Sequence, residues 1–217
     1  MASCMSLEYS YTAVAAFVPE PYRTRLATDS RALAEKHKSW FVLDETEFPP
    51  HVTIWIAYIP TRNVPAVQAT TEEVLRHVTP FGIHIGDTKV ENGGYVSIEV
   101  DITDQLRNLH NALLARLNQF REGYLDKKYA DTLASFPPDQ QESLKRYGTR
   151  KAGPLFTAHI TVGVASPDSV PAVREELQPK LQELKGKTLP IKELFFFRQG
   201  KPGRSVEVLC QYQLNHK

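Results

Sequence analysis

Disulfides cannot organise this chain: among 217 residues it has only two cysteines, Cys4 and Cys210, and they form neither a framework nor a metal-binding spacing. A reducing compartment is expected, the cytoplasm, with the nucleus as the alternative. No apolar run reaches transmembrane length, and the opening Met-Ala-Ser-Cys-Met-Ser-Leu-Glu has neither the basic region nor the apolar core of a secretory leader. The expectation is a soluble protein with no membrane partner. Charge of one sign is lacking too. The 26 Lys and Arg against 25 Asp and Glu leave a formal net charge of +1, which argues against a general polyanion-coating protein and makes any phosphate binding local. The length suits one large domain or two small lobes, enough for a sizeable core.

What the chain does have is one short stretch that occurs twice. His51-Val52-Thr53-Ile54-Trp55-Ile56-Ala57 and His159-Ile160-Thr161-Val162-Gly163-Val164-Ala165 lie 108 residues apart. Each reads as a strand, and period-2 geometry puts His and Thr on one face and the apolar residues between them on the other. A His-x-Thr tripeptide alone is weak. His77-Val78-Thr79 is a third copy, but it ends a helical pattern before Pro80 and has no alternating strand around it. The surroundings are what distinguish the other two. In each, a helical segment follows (66–78 or 168–185), a strand starts thirty residues after the His (at Phe81 or Leu189), and a further strand comes next (95–100 or 205–209). An internal repeat at that level is much harder to obtain by chance.

In chain order, residues 11–18 read as a strand closed by Pro19 and Pro21, and a helix runs from there to about Lys38. Phe48-Pro49-Pro50 is a stiff lead-in to the first His strand. The hairpin at 81–101 turns at Glu91-Asn92-Gly93-Gly94. Asp104 is the expected cap of the strongest helix, whose stripe is Leu106, Leu109, Leu113, Leu114, Leu117 and Phe120, with Arg107, Arg116 and Arg121 off it. Residues 123–155 interrupt the repeat as an insertion with a short helix at 139–146. The helix at 168–185 carries a kink at Pro179, and a last hairpin runs from Ile191 to Leu214.

Two imidazoles facing one space, with reference pKa of about 6.5, can serve as base and acid. The hydroxyls of Thr53 and Thr161 add donors beside each ring, and four short donors around one point suit a tetrahedral anion such as a phosphoryl group. A metal site fits poorly, because two His without a carboxylate or Cys at ligand spacing fall short of the three or four ligands that zinc takes. Trp55, two residues beyond Thr53, is a candidate for stacking on a base, with burial between the lobes as the competing reading. Arg198, Lys201 and Arg204 are candidates for phosphate contact, against the ordinary reading of a solvated hairpin tip. His37, His77, His84, His110 and His216 read as structural.

The paired His51-Val52-Thr53 and His159-Ile160-Thr161 resemble the H-x-T/S signatures of the 2H phosphoesterase superfamily, which includes 2′-5′ RNA ligase-like proteins and cyclic nucleotide phosphodiesterases. The opening strand Thr12–Pro19, the lead-in Phe156-Thr157-Ala158-His159, and the stretches 194–198 and 206–209 resemble that family as well. Only 123–155 falls outside the likeness. The resemblance implies an α+β, bilobal fold in which two pseudo-twofold related antiparallel sheets line a cleft with helices outside. Residues 1–217 would form a single such domain, with repeats at about 51–101 and 157–214. It further implies catalysis by His51 and His159, phosphate binding by Thr53 and Thr161, no metal or cofactor, and phosphodiester substrates, commonly 2′,3′-cyclic or 2′-5′-linked nucleotides or RNA ends. A monomer is expected. The rival reading is a nucleotide or RNA-end binding module with little or no turnover.

Overall fold

A computed structural model describes residues 8–214. Cys4 and His216 lie outside the described residues. The chain opens with β1 (Tyr9–Phe17), and α1 (Tyr22–His37) follows the two prolines. Leu26, Ala27 and Leu33 bury one face of α1, and Lys38 ends it in the left-handed region at φ 54°. Pro49 and Pro50 lead straight into β2 (His51–Pro60). Then come α2 (Val64–Leu75), β3 (Phe81–Val90) and β4 (Tyr95–Val100). The β3–β4 turn depends on Gly94. Its φ is +86°, and a Cβ there would lie 2.0 Å from the Ala165 carbonyl oxygen, so only glycine permits the approach.

The leucine stripe forms α3 (Asp104–Leu117) as expected, and Leu106, Leu109, Leu113, Leu114 and Leu117 are buried. The cap is one residue earlier than expected. Thr103 Oγ1 accepts the Leu106 N–H at 3.2 Å, and Asp104 instead begins the helix, where its charge still suits the dipole. The insertion carries α4 (Lys127–Ala130) and α5 (Pro138–Tyr147). β5 (Ala158–Val164) holds the second motif. The helix expected at 168–185 divides at Leu177 into α6 (Val170–Glu176) and α7 (Gln178–Gln182), with Pro179 in the first turn of α7, because proline cannot supply the bond that would continue one helix. β6 (Thr188–Ile191), β7 (Glu193–Gln199) and β8 (Val206–Gln213) complete the chain.

The architecture is α+β, but the sheet differs from the expected pair. One eight-stranded sheet has the order β6-β3-β4-β5-β2-β1-β7-β8. At its centre β2 and β5 meet antiparallel through a single paired position, Val52 opposite Ile160. The partners are also exchanged relative to the repeat in sequence. The second motif strand pairs with β4, from the first hairpin, whereas the first motif strand pairs with β1, whose other edge meets β7. The last hairpin forms as expected from β7 and β8, but the strand before it joins another neighbour. β6 pairs with β3, and after Lys192 the chain crosses to pair β7 with β1 and β8. Leu26, Val67, Leu113, Val173 and Leu181 from the helices join Val52, Ile160 and other sheet residues in the main core. A smaller cluster of Ala13, Ala15 and Phe197, alternating with the core-facing Val14 and Phe196, occupies the opposite face.

Candidate active site

Val52 and Ile160 are buried, at 1% and 0% exposure, so the alternation turns their neighbours to the opposite face. Because the strands run antiparallel about that pair, His51 comes beside Thr161 and Thr53 beside His159, with the two imidazoles on one diagonal. All four side chains are half-buried and line one cavity of about 320 Å³.

Each motif strand also has a bulge directly after its Thr. In the β1–β2 ladder, Ala15 faces Thr53 and Val14 faces Trp55, leaving Ile54 as the extra residue. In the β4–β5 ladder, Ser97 faces Thr161 and Val96 faces Gly163, leaving Val162 extra. Two successive residues are therefore buried in each strand: Ile54 with Trp55, and Val162 with Gly163. This overturns the expectation that Trp55 shares the Thr53 face. The bulge turns Trp55 into the main core, where it is 2% exposed while still belonging to the cavity lining.

The two histidines differ in their surroundings. His51 Nδ1 lies 2.8 Å from the Pro49 carbonyl oxygen, which can only accept, so Nδ1 carries the proton and Nε2 keeps its lone pair. The rings of Phe197 and Phe48 stand 5.4 and 5.5 Å from it, with Phe17 at 6.3 Å. Burial lowers the His51 pKa, opposed by the bond to Pro49. His159 has polar company. Its Nε2 is 3.2 Å from the Tyr95 hydroxyl, which is itself 2.5 Å from Thr161 Oγ1. Burial, then the charges of Lys151 and His51, pull the His159 pKa down to about 4, with Glu99 acting the other way. Burial raises the Tyr95 pKa, against the Thr161 bond, so the phenol stays protonated at neutral pH.

Tyr95 was not singled out in the sequence; the signal for it is its place at the start of the strand that pairs with β5. His110, read as structural, joins both motif segments. Its Nδ1 donates to the carbonyl of the bulge residue Ile54 at 2.7 Å, its Nε2 accepts the Gly153 N–H at 3.0 Å, and its ring stacks on Phe156 at 3.8 Å. Burial lowers its pKa, in keeping with a neutral ring that donates once and accepts once.

The insertion forms part of the cavity through Tyr129 and the run Thr149-Arg150-Lys151-Ala152. Arg121, expected off the buried stripe, is 2% exposed and ties the insertion down. Its guanidinium donates to the carbonyl of Arg146 at 2.9 Å and to that of Tyr124. Gly148, at φ +74°, makes room for it; a Cβ there would lie 2.6 Å from Arg121 Nε.

Arg198 is not at the cavity. Alternation sends it away from the cavity-lining Phe197, and its Nε donates to Glu207 at 2.9 Å. Lys201 and Arg204 do not line the cavity either. Among the described residues no three His, Cys, Asp or Glu gather as a metal-ligand group, and no helix is long and apolar enough to cross a membrane.

No curated protein matches this chain. Solved structures do. TT0787 of Thermus thermophilus aligns with TM-score 0.59 at 16% identity, covering 94% of this chain and 97% of its own. E. coli LigT in its apo form aligns with TM-score 0.54 at 11% identity over 96% and 99%, and LigT complexed with 3′-AMP with TM-score 0.53 at 13% identity over 96% and 100%. At these identities the likeness concerns the fold. A family model reaches further, matching residues 24–203 to the 2′-5′ RNA ligase superfamily. Its extent over most of the sequence, both motif strands included, places this chain in the 2′-5′ RNA ligase superfamily, among the 2H phosphoesterases.

Proposed function

We propose that the protein is a metal-independent phosphodiesterase that hydrolyses cyclic, 2′-5′-linked or RNA-end nucleotide phosphodiesters with His51 and His159 as an acid–base pair. The observation that carries this reading is the juxtaposition at one sheet position of two His and two Thr around a single cavity. The family membership supports it, as do the complexes of LigT with 3′-AMP, ATP and phosphate, which concern that protein.

The surroundings of each ring favour a division of labour. His159, beside the Lys151 charge and with a pKa of about 4, is neutral at working pH and takes the proton of the attacking water. Burial lowers the His51 pKa and the Pro49 carbonyl at Nδ1 partly offsets this, and in its charged form the ring delivers a proton from Nε2 to the leaving ester oxygen. One P–O bond forms to the water oxygen and one P–O ester bond breaks, leaving a phosphate monoester and a free hydroxyl. Thr53 and Thr161 hold the phosphoryl oxygens by their hydroxyls, and Tyr95 links Thr161 to His159.

The test is incubation with 2′,3′-cyclic mononucleotides and 2′-5′-linked dinucleotides in EDTA, with the products identified. Turnover to a phosphomonoester is expected. Binding without turnover of any of these would instead favour the binding-module reading.

A further inference from the structure

At about 320 Å³ the cavity stands near the lower end of the range for ligand sites, about 300–1,000 Å³. Its insertion side does not end abruptly. Tyr11 and Tyr129 belong to the cavity lining, and from Tyr11 a row of half-buried rings leads outward: Tyr58 at 4.4 Å, then Tyr124 at 6.1 Å from Tyr58, then Tyr9 stacked on Tyr124 at 3.7 Å. One exposed ammonium stands over this row. Lys128 Nζ is 4.8 Å from the centre of the Tyr129 ring, 5.7 Å from that of Tyr58 and 5.9 Å from that of Tyr11. Arg150, also exposed, lies 5.2 Å over Phe136 next to the cavity-lining Lys151.

Arg62, Lys89 and Arg198 each meet a carboxylate, whereas among the described residues Lys128, Arg150 and Lys151 have none within ion-pair distance. The neighbouring acid, Asp126, accepts the Lys128 backbone N–H at 3.0 Å as the cap of α4. Burial pushes the Tyr58 hydroxyl up to about 12 and Tyr11 higher, so the phenols add donors and no negative charge. Flat rings stack on any base, and unpaired cations beside them meet phosphates.

We propose that this tyrosine ledge, with Lys128 and Arg150, is a second subsite for the nucleotide adjoining the reacting phosphodiester, and that the substrate is the end of a single-stranded oligonucleotide rather than a free mononucleotide. The inference rests on the phosphodiesterase reading for what occupies the histidine centre. It gives the insertion a purpose, since that segment supplies Lys128, Tyr129 and Arg150.

Two measurements test it. In the first, a fluorescein-labelled tetranucleotide with a 3′-phosphate is titrated against the native protein and the Lys128→Ala/Arg150→Ala double variant at several salt concentrations, with a 3′-mononucleotide as competitor. The native protein should hold the tetranucleotide about tenfold or more tighter than the mononucleotide. The variant should weaken tetranucleotide binding by a similar factor and flatten the slope of log K against log salt by about 1.4, roughly 0.7 for each phosphate that is no longer neutralised. Both side chains are exposed, and an unchanged Tm would set folding aside. In the second, the ratio of kcat/KM for a tetranucleotide ending in a 2′,3′-cyclic phosphate to that for the cyclic mononucleotide should fall in the variant. Equal affinity of the native protein for both lengths, or identical affinity and salt slope in the variant, overturns the subsite. Ledge-dependent binding with no turnover of either substrate upholds the subsite and sinks the phosphodiesterase reading.

Discussion

The two motif strands have one geometry in two settings. β2 and β5 each put His and Thr on the open face, bury the residue between them, and bulge directly after the Thr. Around His51 the cavity is lined by Phe48, Phe197 and Phe41, and its ring is oriented from behind by the carbonyl of Pro49. Around His159 it is lined by Tyr95, Arg150 and Lys151, and its ring shares a hydroxyl chain with Thr161. The repeat brings two imidazoles to one cavity. In the proposed reaction the linings separate the two rings: burial lowers both pKa values, and at His159 the charge of Lys151 adds to it.

The largest way to break the comparison is to remove either ring. His51→Ala and His159→Ala should each lower kcat by about 10²- to 10⁴-fold with the fold retained, the range for a lost proton-transfer partner. Near-native activity in either variant would mean that the two strands do not act as a pair. The bulge is tested by Trp55→Ala. Loss of this core aromatic should cost about 3 to 5 kcal/mol and lower the Tm by roughly 10 °C, with KM little changed. A raised KM at constant Tm would return Trp55 to base recognition. Smaller again is Tyr95→Phe, which keeps the ring and deletes the hydroxyl between His159 and Thr161. A drop in kcat of about tenfold is expected from a lost hydrogen bond to a catalytic group, with the pH optimum of kcat displaced and thermal stability held. A variant indistinguishable from the native protein would leave His159 without its relay.

Much of this was legible in the sequence because alternation and spacing are local. His51, Thr53, His159 and Thr161 lie together on the expected face, and the strand–helix–strand order recurs after each motif. The pairing of strands was not legible. Nothing local in 81–101 says that β4 joins β5, or that the stretch 188–199 divides at Lys192 between two neighbours, so the expected pair of sheets is one sheet with exchanged partners. The turn of Trp55 into the core was hidden for a related reason: a bulge needs a partner strand to define it, and alternation counted along one strand cannot register the extra residue at Ile54. Arg121 illustrates the other limit. Its burial is licensed by the carbonyls of Tyr124 and Arg146 in the insertion, which the leucine stripe of α3 does not reveal.

The central claim, that His159 acts as base and His51 as acid, is tested most directly by the pH dependence of kcat/KM on the substrate turned over in EDTA, measured for the native protein and both single variants. This quantity reports the free protein, where both imidazoles titrate below 6.5 and His159 at about 4. A base must be deprotonated, so activity should rise with pH through the His159 pKa; an acid must be protonated, so it should fall again through the His51 pKa, leaving an optimum below pH 6.5. His159→Ala should abolish the acid limb and keep the alkaline one, and His51→Ala should do the reverse. Both limbs persisting unchanged in either variant, or a native optimum above pH 7, would contradict the assignment.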